Sequence, residues 1–297
     1  MALTFHTFKF LEKLKKNQIY FGQTLTIGRL NNLISYDDFD KLKINISNDV
    51  YADNILIKNF DLVSLNALDY SSFENADIIH DLNIPIKNEK KQFDTVIDFG
   101  TSEHVFDVAQ CLKNISSLCK INGHIIHCLP ANNNCGHGFW QFSPELFFSI
   151  YDNKNGFSET EIYLIDLFDK KYWYQINKQK IGDRLELNSA EPLYILVKTK
   201  KTGTNLYKDI NQSDYIEQWQ ARDNSNVIRK NAASLLFKKV KDSIKLFFRK
   251  NKIFKNFYIK FEQIRLHDKN NFRSNKNLKK IKIWFYLKYY LLYLSIS

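Results

Sequence analysis

The sequence predicts an α/β fold built on a mostly parallel sheet, and three observations carry that expectation. Residues 93–104 read FDTVIDFGTSEH, an apolar run ending at Asp98 and followed by a Gly100-Thr101 turn. Val105, Cys111, Leu112, Ile115 and Leu118 then recur at helical spacing. Strand-like runs alternate with helix-like ones from Gln23 to Lys200, the pattern of βαβ units with right-handed crossovers. A carboxylate closing a buried strand, before a glycine turn and a helix start, marks the sheet edge where open α/β folds bind ligands.

The elements follow in order. Residues 7–16 form a short helix, with Phe8, Leu11 and Leu14 on one side and lysines on the other. Residues 23–28 (QTLTIG) are the first strand and its turn, and residues 37–46 a helix capped by Ser35 or Asp37. Residues 61–67 and 77–80 are the second and third strands, and residues 93–98 the fourth, followed by a helix over 104–119. Asn122-Gly123 turns into a fifth strand, 124–129, which Pro130 ends. Asn132 to Gly138 is a polar loop, and residues 143–151 a helix with Ser143 as cap and Pro144 first. Residues 159–168 and 192–200 are two late strands.

Charge divides the chain. Residues 227–297 hold 19 Lys and Arg against 3 Asp and Glu, which leaves 24 basic and 29 acidic residues of the chain's 43 and 32 for the first 226. A boundary is therefore expected near Asn224–Asn226, between a domain over 1–223 and a basic helical tail over 224–297. Residues 233–248 and 253–264 carry apolar stripes opposite lysines, and residues 283–296 are nearly all apolar apart from Lys288. Fourteen helical residues reach roughly 21 Å, short of a ~30 Å hydrocarbon core, so the last segment is not expected to span a membrane. An anionic membrane surface is the first reading of the tail. Packing on the body or in a dimer is the second, and nucleic acid comes last because no recognised binding motif accompanies the charge. Lysines interrupt the first residues, so no signal peptide is expected. Cys111, Cys119, Cys128 and Cys135 show no CxxC spacing, which suits reduced thiols in a cytoplasmic protein.

Four expected strand ends converge on one edge: Gly28, the stretch Asn66 to Asp69, Asp81-Leu82-Asn83, and Asp98 to His104. A glycine admits close backbone approach, and carboxylates after the second and third strands suit ribose hydroxyls and an adenine amino group. On VSLNALDYSSFENADIIHDLNIPI, FDTVIDFGTSEHVFDVAQCLKNISSLCKINGHIIHCLPANN and GHGFWQFSPELFFSIYDNKNGF, the chain resembles class I S-adenosylmethionine-dependent methyltransferases. The nearest group is the bacterial type met in surface-glycan gene clusters. The resemblance implies a Rossmann-like seven-stranded sheet with helices on both faces and an antiparallel last strand. It implies S-adenosylmethionine as cofactor and a small-molecule acceptor, a sugar or lipid-linked glycan precursor, as in polysaccharide biosynthesis. It places Gly28 in the glycine motif, Asn66 and Asp69 near the ribose, Asp81 and Leu82 near adenine, and Asp98 and Gly100 beside the methionine moiety.

TIGRLNN keeps a single glycine, which favours a rival reading as a non-catalytic binding or scaffold protein of this fold at a membrane surface. Glu103 and His104 read either as a helix N-terminus or, for His104, as a general base; His137 is the other candidate base. His124 and His127 point to opposite faces of their strand. No second spaced pair accompanies Cys135 and His137, so no metal site is expected. Phe139, Trp140 and Phe142 are expected to form a lid or acceptor wall.

Overall fold

The chain opens with β1 (Ala2–Leu3) and α1 (Phe5–Lys16), then β2 (Gly22–Ile27), β3 (Asn31–Asn32), α2 (Tyr36–Leu42) and α3 (Asp53–Asn59). β4 (Leu62–Asp69), β5 (Ile78–Ile79) and β6 (Phe93–Asp98) follow, then a 3-10 turn at Ser102–His104 and α4 (Val108–Leu118). β7 (Cys119–Asn132), α5 (Pro144–Ile150), β8 (Phe157–Asp166), β9 (Tyr172–Ile176), β10 (Leu193–Lys201) and β11 (Leu278–Lys282) complete the order. This computed structural model describes residues 1–44, 49–86, 92–177, 185–204, 207, 210–212, 260, 264, 271–275 and 277–283.

The main sheet runs β11-β9-β8-β10-β7-β6-β2-β4-β5. β2 pairs in parallel with β4 and β6, β4 with β5, and β6 with β7. β10 lies between β7 and β8, antiparallel to both. Among the described residues the sheet has nine strands rather than seven. The extra two, β9 and β11, extend it beyond β8, and their short runs between charged residues carry no distinct strand signal in the sequence. The antiparallel strand implied by the resemblance is β10.

Helices cover both faces. Ile97 and Phe99 from the strand-four region and Ile126 and Cys128 of β7 pack in one cluster with Phe8, Leu11 and Leu14 of α1, Phe39 of α2 and Leu56 of α3. Strand side chains alternate, so their neighbours turn the other way. On that side His127 packs on the Phe147 and Tyr151 rings, with centroids 5.4 and 5.7 Å away, and Ser102 meets Cys111 of α4. Thr4 and Thr7 form a reciprocal capping box at the start of α1, which begins two residues before the expected position. Phe8 and Phe10 are nearly fully buried, each worth about 2 kcal/mol of burial.

Several boundaries differ from the sequence reading. β4 continues to Asp69, because Asp69 still pairs with Ile79. β7 does not stop at Pro130. Its pairing with β6 ends at Asp98↔His127, while β10 pairs it up to Asn132. Beyond Cys128 β7 has no β6 neighbour, and the Pro130 carbonyl accepts from the Phe142 N–H at 2.8 Å, so the missing donor breaks no ladder there. The helix expected from His104 starts at Val108, where the Asp107 carboxylate caps the Gln110 N–H at 3.0 Å. α3 has too few apolar residues to show a period.

The chain divides into two compact units: Met1–Lys178 with Ala190–Ile210 and Lys279–Ser297, and Gln179–Ser189 with Asn211–Leu278. In the second unit Asn188 and Asn271 form a parallel bridge, and the buried Phe272 donates its N–H to the Asn188 carbonyl at 3.0 Å. The boundary expected near Asn224–Asn226 lies outside the described residues, as do the expected helices over 233–248, 253–264 and 283–296 except Lys260, Ile264 and Ile283. Lys279, Lys280 and Lys282 belong to β11, where Lys280 Nζ sits 3.8 Å from the centre of the Tyr172 ring. No helix among the described residues is long and apolar enough to cross a membrane.

Candidate functional site

The parallel pairing aligns the carboxyl ends of β5, β4, β2 and β6. Ile27 lies opposite Leu68, Asp69 opposite Ile79, and Thr26 opposite Ile97. Two bonds stitch the tips together: Gly28 N–H to the Leu68 carbonyl at 2.6 Å, and the Thr101 hydroxyl to the Ile27 carbonyl. Gly28, Asp69, Asp81 and Asp98 therefore share one edge. A cleft of about 300 Å³ opens there, lined by Asp69, Asp81, Leu82, Thr101 and His104, with Met1 as one wall. The Asp81 carboxylate caps its own turn, accepting from the Asn83 N–H at 2.9 Å, and that bond holds its pKa below the usual carboxylate value.

Four expected cofactor residues sit differently. Asn66 lies inside β4 opposite Leu25, three residues short of the tip, so Asp69 is the acid that closes the strand. Asp98 is fully buried and lies outside the cleft lining. Its Oδ1 accepts from the Thr101 and Ser102 N–H groups at 3.0 and 3.4 Å, and its Oδ2 from the Ser102 hydroxyl at 2.5 Å and His127 Nδ1 at 3.0 Å. His127 Nε2 then accepts from Tyr151 at 2.6 Å, and burial drives the Tyr151 pKa up. Asp98 thus builds the turn. Gly28 and Gly100 have φ of +74° and +100°; the space over Gly28 is filled by Met1, and Gly100 faces the Glu103 carboxylate and the Met1 backbone. A Cβ on Gly28 would fall 1.6 Å from Met1 Sδ, and one on Gly100 3.3 Å from Glu103 Oε1 and 3.5 Å from Met1 Cα. Pairing of β1 with β3, and an Ala2 N–H bond to the Phe99 carbonyl at 3.1 Å, hold Met1 over both glycines.

At the other end of the cleft lies a cluster that the sequence did not announce. Glu103 is fully buried, and neither carboxylate oxygen has a hydrogen-bond partner among the described residues. Burial, helped by the charge of Asp98, raises its pKa to about 8. His137 Nε2 is 3.5 Å and His104 Nε2 4.0 Å from Glu103 Oε1. Both imidazoles are about half exposed. Burial, and then His137, lower the His104 pKa. The loop carrying His137 is pinned by its backbone: the Phe139 and Trp140 N–H groups donate to the Glu103 carbonyl at 2.8 and 3.3 Å. The Trp140 indole donates to the Val105 carbonyl at 3.0 Å. Gly138, at φ +112°, makes the approach possible, since its Cβ would lie 2.9 Å from the Glu103 carbonyl oxygen and 3.1 Å from His104 Nδ1. Phe139 stays exposed against Phe106, whereas Phe142 is buried and forms no wall. Glu103 read as a helix cap in the sequence because nothing local shows that its turn faces inward.

All four cysteines are free. Cys111, Cys119 and Cys128 are buried, and burial raises their thiol pKa values, Cys119 to about 12.

No family profile matches the chain, and no curated protein does. Solved structures do match. An N-methyltransferase, NodS, from Bradyrhizobium japonicum is 11% identical, with 67% of this chain and 96% of that one covered, at a TM-score of 0.37. An S-adenosylmethionine-dependent methyltransferase from Thermotoga maritima is 19% identical, with 67% and 91% covered, at 0.32. One from Clostridium acetobutylicum is 10% identical, with 66% and 73% covered, at 0.27. Similarity of that degree adds nothing to what the strand order gives by itself.

Proposed function

We propose that this protein is an S-adenosylmethionine-dependent methyltransferase acting on a small oxygen-bearing acceptor, with a sugar or lipid-linked glycan precursor as the class. The observation that supports it most is the cleft lined from the ends of β4, β5 and β6. Asp69, Asp81 and Leu82 line that cleft, and in this reading Asp69 bonds the ribose hydroxyls while Asp81 and Leu82 hold adenine. These residues fit the adenosine half of the cofactor. The methionine half needs the space over Gly28 that the Met1 side chain fills, so that side chain moves aside before it binds. The bound cofactor would supply an electrophilic methyl group. The chain's part is to hold adenosine and to present the acceptor from the His104 side of the cleft. His104, its pKa lowered, is neutral at pH 7 and able to take a proton from a hydroxyl; His137 beside it is the second candidate. Positioning contributes more to such a transfer than a strong base does.

Calorimetry with S-adenosylhomocysteine tests the reading, run on the full chain and on a chain beginning at Ala2 released from a cleavable fusion. Binding by either chain, tighter in the second, is expected. Absence of heat and of any thermal shift in both refutes it. The second reading, a non-catalytic relative serving as a binding or scaffold protein, is favoured by Met1 standing over the two glycines. It predicts that absence. For the basic tail, the proposed partner is an anionic membrane at the cytoplasmic face. The full chain should sediment with phosphatidylserine vesicles at low salt and be released at high salt. Failure to sediment at low salt leaves packing on the body as the reading.

A further inference from the structure

We propose that Glu103, His104 and His137 form a binding site for one divalent transition-metal cation, of which Zn2+ is the type, at the mouth of the cleft. One carboxylate oxygen and two imidazole nitrogens lie within 4.8 Å of one another. A tetrahedral ion with bonds of about 2.1 Å holds its ligands roughly 3.4 Å apart. The Glu103–His137 separation is already 3.5 Å and the Glu103–His104 separation 4.0 Å. Small rotations of two half-exposed rings close the rest.

The buried carboxylate is the independent observation. A carboxyl group with no exposure and no hydrogen bond is costly whether ionised or neutral, because its oxygens have lost water and gained no partner. A cation at Oε1 gives the carboxylate a partner, offsets part of that cost and needs no change in the core. The surroundings are built for the approach. Gly138 lets the loop backbone sit on Glu103, and the Phe139 and Trp140 bonds to the Glu103 carbonyl hold His137 over the carboxylate. Two imidazoles with one carboxylate match metal sites that keep coordination positions open, and the half-exposed rings leave those positions to solvent and the cleft. Where the preceding reading holds, the open position would take the acceptor hydroxyl, in place of a free His104 as base. The ion, not a free imidazole, would then lower the hydroxyl pKa. Metal binding itself does not depend on that reading.

The test uses the full chain, stripped with chelator and titrated with Co2+ without any adenosyl ligand. A visible ligand-field band saturating at one equivalent is expected, displaced by Zn2+, with a Zn2+-dependent rise in melting temperature. H137A and H104A should each weaken binding at least tenfold, while C135S and H124A leave it unchanged. H137A alters an exposed ring, so its folding is checked by an unchanged melting temperature in chelator. No band, or a band that survives H104A and H137A or vanishes in C135S, overturns the proposal. Calorimetry with S-adenosylhomocysteine in chelator is a separate measurement, so loss of one reading leaves the other standing.

Discussion

Gly138 and Gly136 occupy one loop two residues apart, and their surroundings predict opposite outcomes for the same substitution. A Cβ at Gly136 meets nothing within 4 Å. At Gly138 it falls 2.9 Å from the Glu103 carbonyl oxygen, on a backbone at φ +112° that side chains rarely adopt. The strained backbone alone costs about 1–3 kcal/mol. The added methyl also drives the loop off the two N–H bonds to Glu103, each worth about 1 kcal/mol. Partial relaxation sets the net near 2 kcal/mol, or roughly 4–8 °C in Tm for a unit of this size. Thermal unfolding of G138A and G136A, with hydrogen exchange at the Phe139 and Trp140 amides, reads both parts. G136A should match the wild type. A G138A protein that also matches it, in Tm and in amide protection, refutes the idea that this glycine seats the loop on Glu103.

Other outcomes follow from the same geometry. D69N and D81N should each weaken S-adenosylhomocysteine binding about tenfold by calorimetry, about 1.4 kcal/mol, at unchanged Tm; wild-type affinity in both variants would place the adenosine elsewhere. D98N should lower unfolding stability by about 2–4 kcal/mol, because Thr101, Ser102 and His127 all bond that carboxylate; a neutral effect would mean the buried turn is not held there. Glu103 has its folded pKa raised from 4.5 to about 8, so the folded state binds the extra proton and metal-free stability falls as pH rises from about 4.5 to 8. E103Q should flatten that slope in chelator, and parallel wild-type and E103Q profiles would contradict the burial argument. His6 has its folded pKa lowered to about 4 by burial against Trp173, so its contribution is present above 6.5 and lost as pH falls toward 4; H6Q should lose less stability than the wild type over that window.

Periodicity and punctuation made much of the architecture legible. The run ending at Asp98, the turn at Gly100 and the spacing of Cys111, Leu112 and Ile115 are local signals, set by which side chains must leave water together. They sufficed for β6, α4, the parallel core and the shared edge of Gly28, Asp69, Asp81 and Asp98. The partners of those residues were not legible, because partners come from distant segments. Asp98 turned inward to His127 and the Ser102 turn, 29 and 4 residues away. Met1 took the space over Gly28 and Gly100. Glu103 left the helix it was expected to cap and met His137 from the far side of β7. Pairing of distant residues depends on sheet register and on which loop the core pushes to the edge, and no window of sequence carries that information. The parallel strands and the helices α1, α4 and α5 were properties of short stretches, whereas β1, β3, α3, β9 and β11 left no local signal and the chemistry at the strand ends was decided when the chain closed on itself.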